Sequence, residues 1–288
     1  MVLHWAKIMR GEVKTYCIIG DPVKHSLSPS MQNAAFNFLG LNCSYLSFRV
    51  PRGELKESIE SLRAVGFAGF NVTIPHKVDI LNYLDELDPV AKLAGAINTV
   101  NNIHGRFKGY NTDVAGFIEP LHTRNVNFNG MKILLLGAGG SARAVIVALE
   151  NKQISKIIIA TRGREKAKEL VKIGSSMGLS CEAASIDSAQ DLAISSDMIV
   201  NTTPLGMNDE QSIIDHEHIA KGTIVYDIVY RPILTNLLEN AKYAGANIVY
   251  GYEMLLQQGA KSFEIWTGMR APQEAMRKAL FGLFGEPG

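Results

Sequence analysis

The stretch Lys132–Val145, KILLLGAGGSARAV, constrains this chain more than any other. Its apolar run, Ile133 to Leu136, suits a strand buried on both faces. The run breaks into Gly137-Ala138-Gly139-Gly140-Ser141-Ala142 and resumes with the helix-like ARAVIVALE. G-x-G-x-x-A between a strand and a helix is the dinucleotide-binding fingerprint in its proper context. Gly137 serves the tight turn, Gly139 leaves room for a pyrophosphate against the backbone, and Ala142 lets the helix pack close to the strand. The start of the following helix offers unpaired N–H groups and a partial positive charge to phosphates. A glycine-rich turn without a ligand is the alternative, and the strand–turn–helix context disfavours it.

The rest of the chain reads as an α/β protein around this unit. TYCIIGD, CSYLSFRV and FAGFNVTI predict strands, separated by the helices SPSMQNAAFNFLG and RGELKESIESLRAVG. Ser28 is expected to cap the first of these helices, with Pro29 at its first position. HKVDILNYLDEL and PVAKLAGA predict helices, and INTVNNIHGRFKGYNTD two short strands about an Asn-Ile-His-Gly turn. A second α/β series starts near Val114. After the glycine-rich turn come the strand KIIIAT, the helix REKAKELVKIG, the strands DMIVNTT and GTIVYDIVY, the helix ILTNLLENAKYAG and the strand NIVYG. The tail, EMLLQQGAKSFEIWTG and APQEAMRKALFGLF, is helical throughout. Because the second series already completes a nucleotide-binding unit, the tail is expected to pack back on the first. The expected fold is thus an open N-terminal α/β domain, residues 1–113 and 251–288, with a Rossmann-type domain, residues 114–250, and a cleft between them.

At 288 residues there is chain enough for two cores. A formal net charge of +1 gives no reason to expect nucleic acid or an anionic membrane as a partner. No apolar run reaches the length of a membrane span, and the first residues lack the apolar core of a secretory signal. Cys17, Cys43 and Cys181 are few and odd in number, so a reducing, cytoplasmic setting and no metal site are expected. His216 and His218, among acidic residues, read as a solvated loop rather than ligands. Met9 competes with Met1 as the start. Composition leaves the oligomeric state open, a homodimer included.

The second strand of a Rossmann unit bears on the choice of nicotinamide cofactor. An NAD site usually ends that strand with an acid for the ribose 2′-hydroxyl. Here the strand runs into Thr161-Arg162-Gly163-Arg164-Glu165-Lys166. No carboxylate sits at the strand end. Arg162, with Lys166 or Arg164 as a second cation, suits a 2′-phosphate, because a planar guanidinium grips phosphate with two parallel N–H bonds. NADPH is the expected cofactor.

Three polar clusters lie in the first half: His25-Ser26-Leu27-Ser28-Pro29-Ser30, Asn71-Val72-Thr73-Ile74-Pro75-His76-Lys77, and Asn98-Thr99 with Asn111-Thr112-Asp113. The first two follow strands, and ligands of open α/β sheets bind beyond the carboxyl ends of strands. Each cluster alone has an ordinary explanation: a helix cap, a turn, a surface lysine. Together, hydroxyls and amides with one Lys and one Asp suit a small polyhydroxylated acid as substrate.

These residues fall in runs that resemble the shikimate dehydrogenase family: IGDPVKHSLSPSMQN, GFNVTIPHK, LAGAINTV, GYNTD, LLLGAGGSARAV, NTTPLGM, YDIVYRP and MLLQQGAKSFEIWTG, in family order from Lys14 to about Leu283. The resemblance implies NADPH-dependent reduction of 3-dehydroshikimate to shikimate, a step of aromatic amino-acid biosynthesis. It implies that Ser26 and Ser28 bind the substrate carboxylate, with Tyr230 nearby. Asn71, Thr73, Asn98, Asp113 and Gln258 would hold the hydroxyls, and Lys77 and Asp113 would form the catalytic pair. Gly137, Ala138, Gly139, Gly140, Ser141 and Ala142 match the pyrophosphate loop. Thr161, Arg162 and Lys166 would face the adenosine phosphate. Thr202 and Thr203 would border the cofactor, and Gly251 and Met254 the nicotinamide. Chemically, an ammonium at Lys77 can stabilise charge growing on a carbonyl oxygen and then protonate it. The reverse oxidation is therefore expected to speed up toward alkaline pH.

The chain departs from the family at Thr161-Arg162-Gly163, where Asn-Arg-Thr is usual. It departs again at Val114, where glycine is common, and at Gly251-Tyr252-Glu253-Met254, which leaves Glu253 without a role. A quinate or dual quinate/shikimate dehydrogenase is the nearest rival, and serine at both 26 and 28 favours shikimate. A non-catalytic NADP-binding regulatory module is the rival of another class. It would need neither Lys77 nor Asp113.

Overall fold

The computed structural model describes residues 12–207 and 212–284. The alternative start at Met9 lies outside the described residues. Six strands form the first sheet: β1 Lys14–Gly20, β2 Cys43–Arg49, β3 Gly69–Val72, β4 Glu86–Leu87, β5 Thr99–Ile103 and β6 Arg106–Tyr110, in the order β2-β1-β3-β5-β6-β4. β1 runs parallel to β2 and to β3, whereas β5 runs antiparallel to both β3 and β6. The β5–β6 hairpin turns at His104 and Gly105, both at positive φ, which matches the twist of the flanking strands. Helices α1 Ser28–Phe38, α2 Leu55–Ala64 and α3 Pro89–Ala94 belong to this half.

Helix α4, Asp113–Thr123, carries the chain into the second sheet. Its strands are β7 Lys132–Leu136, β8 Lys156–Thr161, β9 Cys181–Ser185, β10 Met198–Asn201, β11 Ile224–Asp227 and β12 Asn247–Val249. All pairings are parallel, in the order β12-β11-β10-β7-β8-β9. From β7 the chain fills one side of the sheet and then returns to fill the other, which is the Rossmann order with its switch point between β7 and β10. The intervening helices are α5 Gly140–Ala148, α6 Arg164–Ser176, α7 Ala189–Ala193 and α8 Asn236–Tyr243. Residues 133–136 of β7 and 157–160 of β8 are apolar and buried on both faces, between two separate clusters of core side chains.

The chain returns through α9, Gly251–Thr267, and α10, Gln273–Phe284. Leu255, Leu256, Ala260, Phe263 and Trp266 of α9, with Met276 and Leu280 of α10, join the core over β1, β2 and α1. The Trp266 indole N–H donates to the Val100 carbonyl 2.9 Å away, fixing α9 to β5. Met254 instead joins the core of the second sheet, so the first turn of α9 straddles both halves. α4 and α9 lie against each other where the chain passes between the sheets.

Several local expectations change. HKVDILNYLDEL is not a helix: only Asp79–Tyr83 makes a tight 3₁₀ turn, and Glu86–Leu87 pairs with β6. The Asp85 carboxylate accepts the Phe107 N–H and the Arg63 guanidinium, which draws this segment onto the sheet. GTIVYDIVY stays in the sheet only over Ile224–Asp227. The helix after it starts at Asn236, where the Thr235 hydroxyl accepts from the Leu238 N–H. Strand β9 and helix α7 have no counterpart in the sequence reading. Ser28 does not cap α1: Leu27 takes the cap position, and the Ser28 N–H donates to Ser26 Oγ. His216 and His218 lie in a half-exposed 3₁₀ turn, with the His216 ring packed edge-on to Tyr243, centroids 4.6 Å apart.

Candidate active site

The glycine-rich turn leaves the carboxyl end of β7 at the switch point. Gly137 stands at φ +103°, a backbone open to glycine, and a side chain there would press on Thr202 Oγ1. Its N–H donates to the Ala160 carbonyl, and the Thr202 hydroxyl holds the Leu136 carbonyl at 2.6 Å. Gly139 occupies the cap position of α5 with no side chain capping the helix, and a Cβ there would meet nothing within 4 Å. An uncapped helix start beside open space fits a pyrophosphate. Ala142 is fully buried under the loop. At the end of β8, Arg162 and Lys166 are exposed and take no ion-pair partner among the described residues. The Thr161 hydroxyl accepts the Gly163 N–H and so shapes the turn that presents them. These features fit a dinucleotide carrying an extra phosphate. NADP, when bound, would have this loop and these cations for its phosphates.

Facing the loop, the three polar clusters of the first half come together. Lys77 Nζ donates to Asp113 Oδ2 at 2.6 Å, with side chains only 14% and 5% exposed. Asp113 opens α4, and its other oxygen accepts from Asn98 Nδ2 at 2.8 Å. The Asn98 amide is fixed in turn, because its Oδ1 accepts the Thr112 N–H at 2.7 Å and its Nδ2 also reaches Gln258 Oε1 at 3.2 Å. Asn71, on β3, donates to the Asn98 carbonyl, Thr99 Oγ1 and Ser262 Oγ, and accepts the Tyr45 hydroxyl at 2.6 Å. Beyond Tyr45 lie the Ser28 hydroxyl and then Tyr230 beside Ser26. Burial holds both phenols, Tyr45 and Tyr230, above their ordinary pKa, so they stay neutral donors. One chain of polar groups thus runs from Ser26 and Tyr230 to Lys77. Thr73 is half-buried, its N–H on the Ile19 carbonyl and its methyl close over Gly20.

Tyr45 and Ser262 escaped sequence reasoning. With Thr99 and Thr112 of the third cluster they supply buried hydroxyls that orient the two asparagines, and Ser262 comes from α9, far along the chain. An alternation of apolar and polar residues could have flagged Tyr45 as inward-facing, but not its partner. Gly251 lies against the Val229 and Ile228 carbonyls, where no side chain fits. Met254 is buried in the core beside Tyr226 and Phe117. Glu253, unassigned in the sequence, forks onto Arg124 with two bonds of 2.8 Å and accepts the Tyr250 N–H, which caps α9. The fork ties α4 to α9 at the crossing point between the two halves.

Comparison with known proteins points to one family. Residues 18–100 match the shikimate dehydrogenase substrate binding domain, residues 121–228 the shikimate / quinate 5-dehydrogenase family, and residues 251–281 the shikimate 5'-dehydrogenase C-terminal domain. The shikimate dehydrogenase (NADP(+)) of Nitrosopumilus maritimus is 48% identical over 271 residues, covering 94% of this chain and 99% of its own.

The chain belongs to the shikimate dehydrogenase family.

Solved structures agree. The shikimate dehydrogenase of Aquifex aeolicus superposes with a TM-score of 0.85 at 39% identity, covering 93% of this chain and 97% of its own. The Thermus thermophilus shikimate 5-dehydrogenase, solved with NADP(H) and shikimate, superposes with a TM-score of 0.81 at 34% identity, covering 92% of this chain and 97% of its own. No helix among the described residues is long and apolar enough to cross a membrane.

Proposed function

We propose that this member of the family reduces 3-dehydroshikimate to shikimate with NADPH, and that Lys77 and Asp113 are its catalytic pair. The observation that carries the reading is the buried Lys77–Asp113 contact of 2.6 Å, set opposite an uncapped glycine-rich helix start. NADPH, when bound, supplies the hydride. Lys77 stabilises the negative charge that develops on the substrate's carbonyl oxygen and passes a proton from Nζ to it, completing the alcohol. Asp113 holds the ammonium in place and has its own second oxygen held by Asn98. Ser26, Ser28 and Tyr230 receive the carboxylate. Asn71, Thr73, Asn98, Asp113 and Gln258 receive hydroxyls. Thr161, Arg162 and Lys166 face the adenosine phosphate, Thr202 and Thr203 border the cofactor, Gly251 and Met254 border the nicotinamide, and the loop from Gly137 to Ala142 takes the pyrophosphate.

The division proposed is a substrate domain of residues 1–113 and 251–288 and a cofactor domain of residues 114–250. Three cysteines without a disulfide among them support a cytoplasmic setting. The test is turnover followed by the absorbance of the reduced nicotinamide, with shikimate or quinate, each with NADP or NAD. Shikimate with NADP is expected to give the highest kcat/KM. Faster turnover of quinate, or none with any pair, contradicts the reading.

A further inference from the structure

Three glycines lie at the start of α5, and the structure gives each a different reason. Gly137 needs its positive φ, and Gly139 faces open space. Gly140 has neither feature. It begins α5, and a Cβ there would stand 2.8 Å from Cβ of Lys77 and 3.1 Å from its Cδ. These atoms are near the root of the lysine side chain, so it cannot swing clear cheaply. The next residue, Ser141, places its Oγ 3.2 Å from Lys77 Nζ.

We infer that Gly140 and Ser141 are positioning residues for Lys77: the cofactor loop forms the second wall of the proton-donor site. An ammonium has three N–H groups. Asp113, on the substrate side, takes one, and Ser141, on the cofactor side, takes another. With two anchors on opposite sides, the direction of the third proton is set only when the two sheets stand as they do here. The inference rests on Lys77 as proton donor, which the Lys77→Met variant tests separately. It gives Ser141 a part in catalysis besides contact with phosphate.

The experiment measures kcat and both KM values for Ser141→Ala, Ser141→Thr and Gly140→Ala in the full chain, from mildly acid to alkaline pH. NADPH binding is followed by fluorescence and folding by thermal melting. Ser141→Ala should lower kcat about tenfold, the order expected for one hydrogen bond to a charged group. Any rise in KM for NADPH should be smaller than the fall in kcat, and the pH profile of kcat should move. Ser141→Thr, which keeps the hydroxyl, should restore kcat. Gly140→Ala should bind NADPH yet lose kcat. A rise in KM for NADPH with kcat intact in Ser141→Ala makes Ser141 a phosphate ligand only and overturns the inference. Failure of Ser141→Thr to restore kcat overturns it as well, and an unchanged kcat in Gly140→Ala removes the role given to Gly140. In every one of these outcomes a wild-type enzyme that Lys77→Met inactivates leaves the functional reading standing.

Discussion

Asp227 ends β11 and is completely buried. Its carboxylate accepts from Asn201 Nδ2, the Val229 N–H and the Thr235 hydroxyl, at 2.9, 3.0 and 2.6 Å. Burial raises its pKa from 3.8 to about 6, against the three hydrogen bonds that pull the other way. An acid whose folded pKa exceeds its unfolded one stabilises the fold while protonated. That stability is complete below about pH 4 and is lost as pH rises through about 6. The whole span is worth about 3 kcal/mol, and between pH 5 and 7.5 roughly 1.5 kcal/mol of it disappears. Asp227→Asn keeps the size and stays neutral at every pH. Urea unfolding of the wild type and the variant at these two pH values isolates the effect, because the other titrating groups cancel in the difference. The variant should gain roughly 1.5 kcal/mol on the wild type between about pH 5 and pH 7.5. An equal difference at both values refutes the burial argument.

Replacing Arg162 by Ala should raise KM for NADPH much more than for NADH, since the guanidinium is assigned to the extra phosphate; equal weakening of both would remove that assignment. Glu253→Ala breaks the Arg124 fork and the α9 cap, so stability should fall by about 1 kcal/mol, read as a lower urea midpoint. An unchanged midpoint would leave the fork without energetic weight. Tyr45→Phe leaves Asn71 Oδ1 buried without its donor and should cost about 1–3 kcal/mol in unfolding free energy, with a raised KM for shikimate. Wild-type stability and KM together in that variant would show that the phenol does not hold Asn71.

The parts of the fold that sequence discloses are those governed by local rules. β7, the Gly137 turn and α5 follow from an apolar run, a glycine spacing and a helical repeat within a few residues of one another. The β5–β6 hairpin follows from its His-Gly turn. Segments settled by distant contacts were hidden. Asp79–Tyr83 has helical composition, yet Asp85 is captured by Arg63 and by the Phe107 N–H. β9 consists of Cys181-Glu182-Ala183-Ala184-Ser185, with no branched or aromatic residue to mark it, and forms because β8 offers a parallel edge. At the site, Lys77, Asn98 and Asp113 were legible as residue types suited to the chemistry. Ser262 and Glu253 were not, because each acts through a partner more than a hundred positions away.

The central claim is that Lys77, held by Asp113, protonates the carbonyl oxygen. The direct measurement is kcat of Lys77→Met beside its dissociation constant for shikimate. A lost general acid predicts a fall in kcat of about 10²–10⁴-fold with binding changed by less than about tenfold. A variant that keeps kcat and loses only affinity contradicts the claim, because Lys77 would then be a binding residue alone.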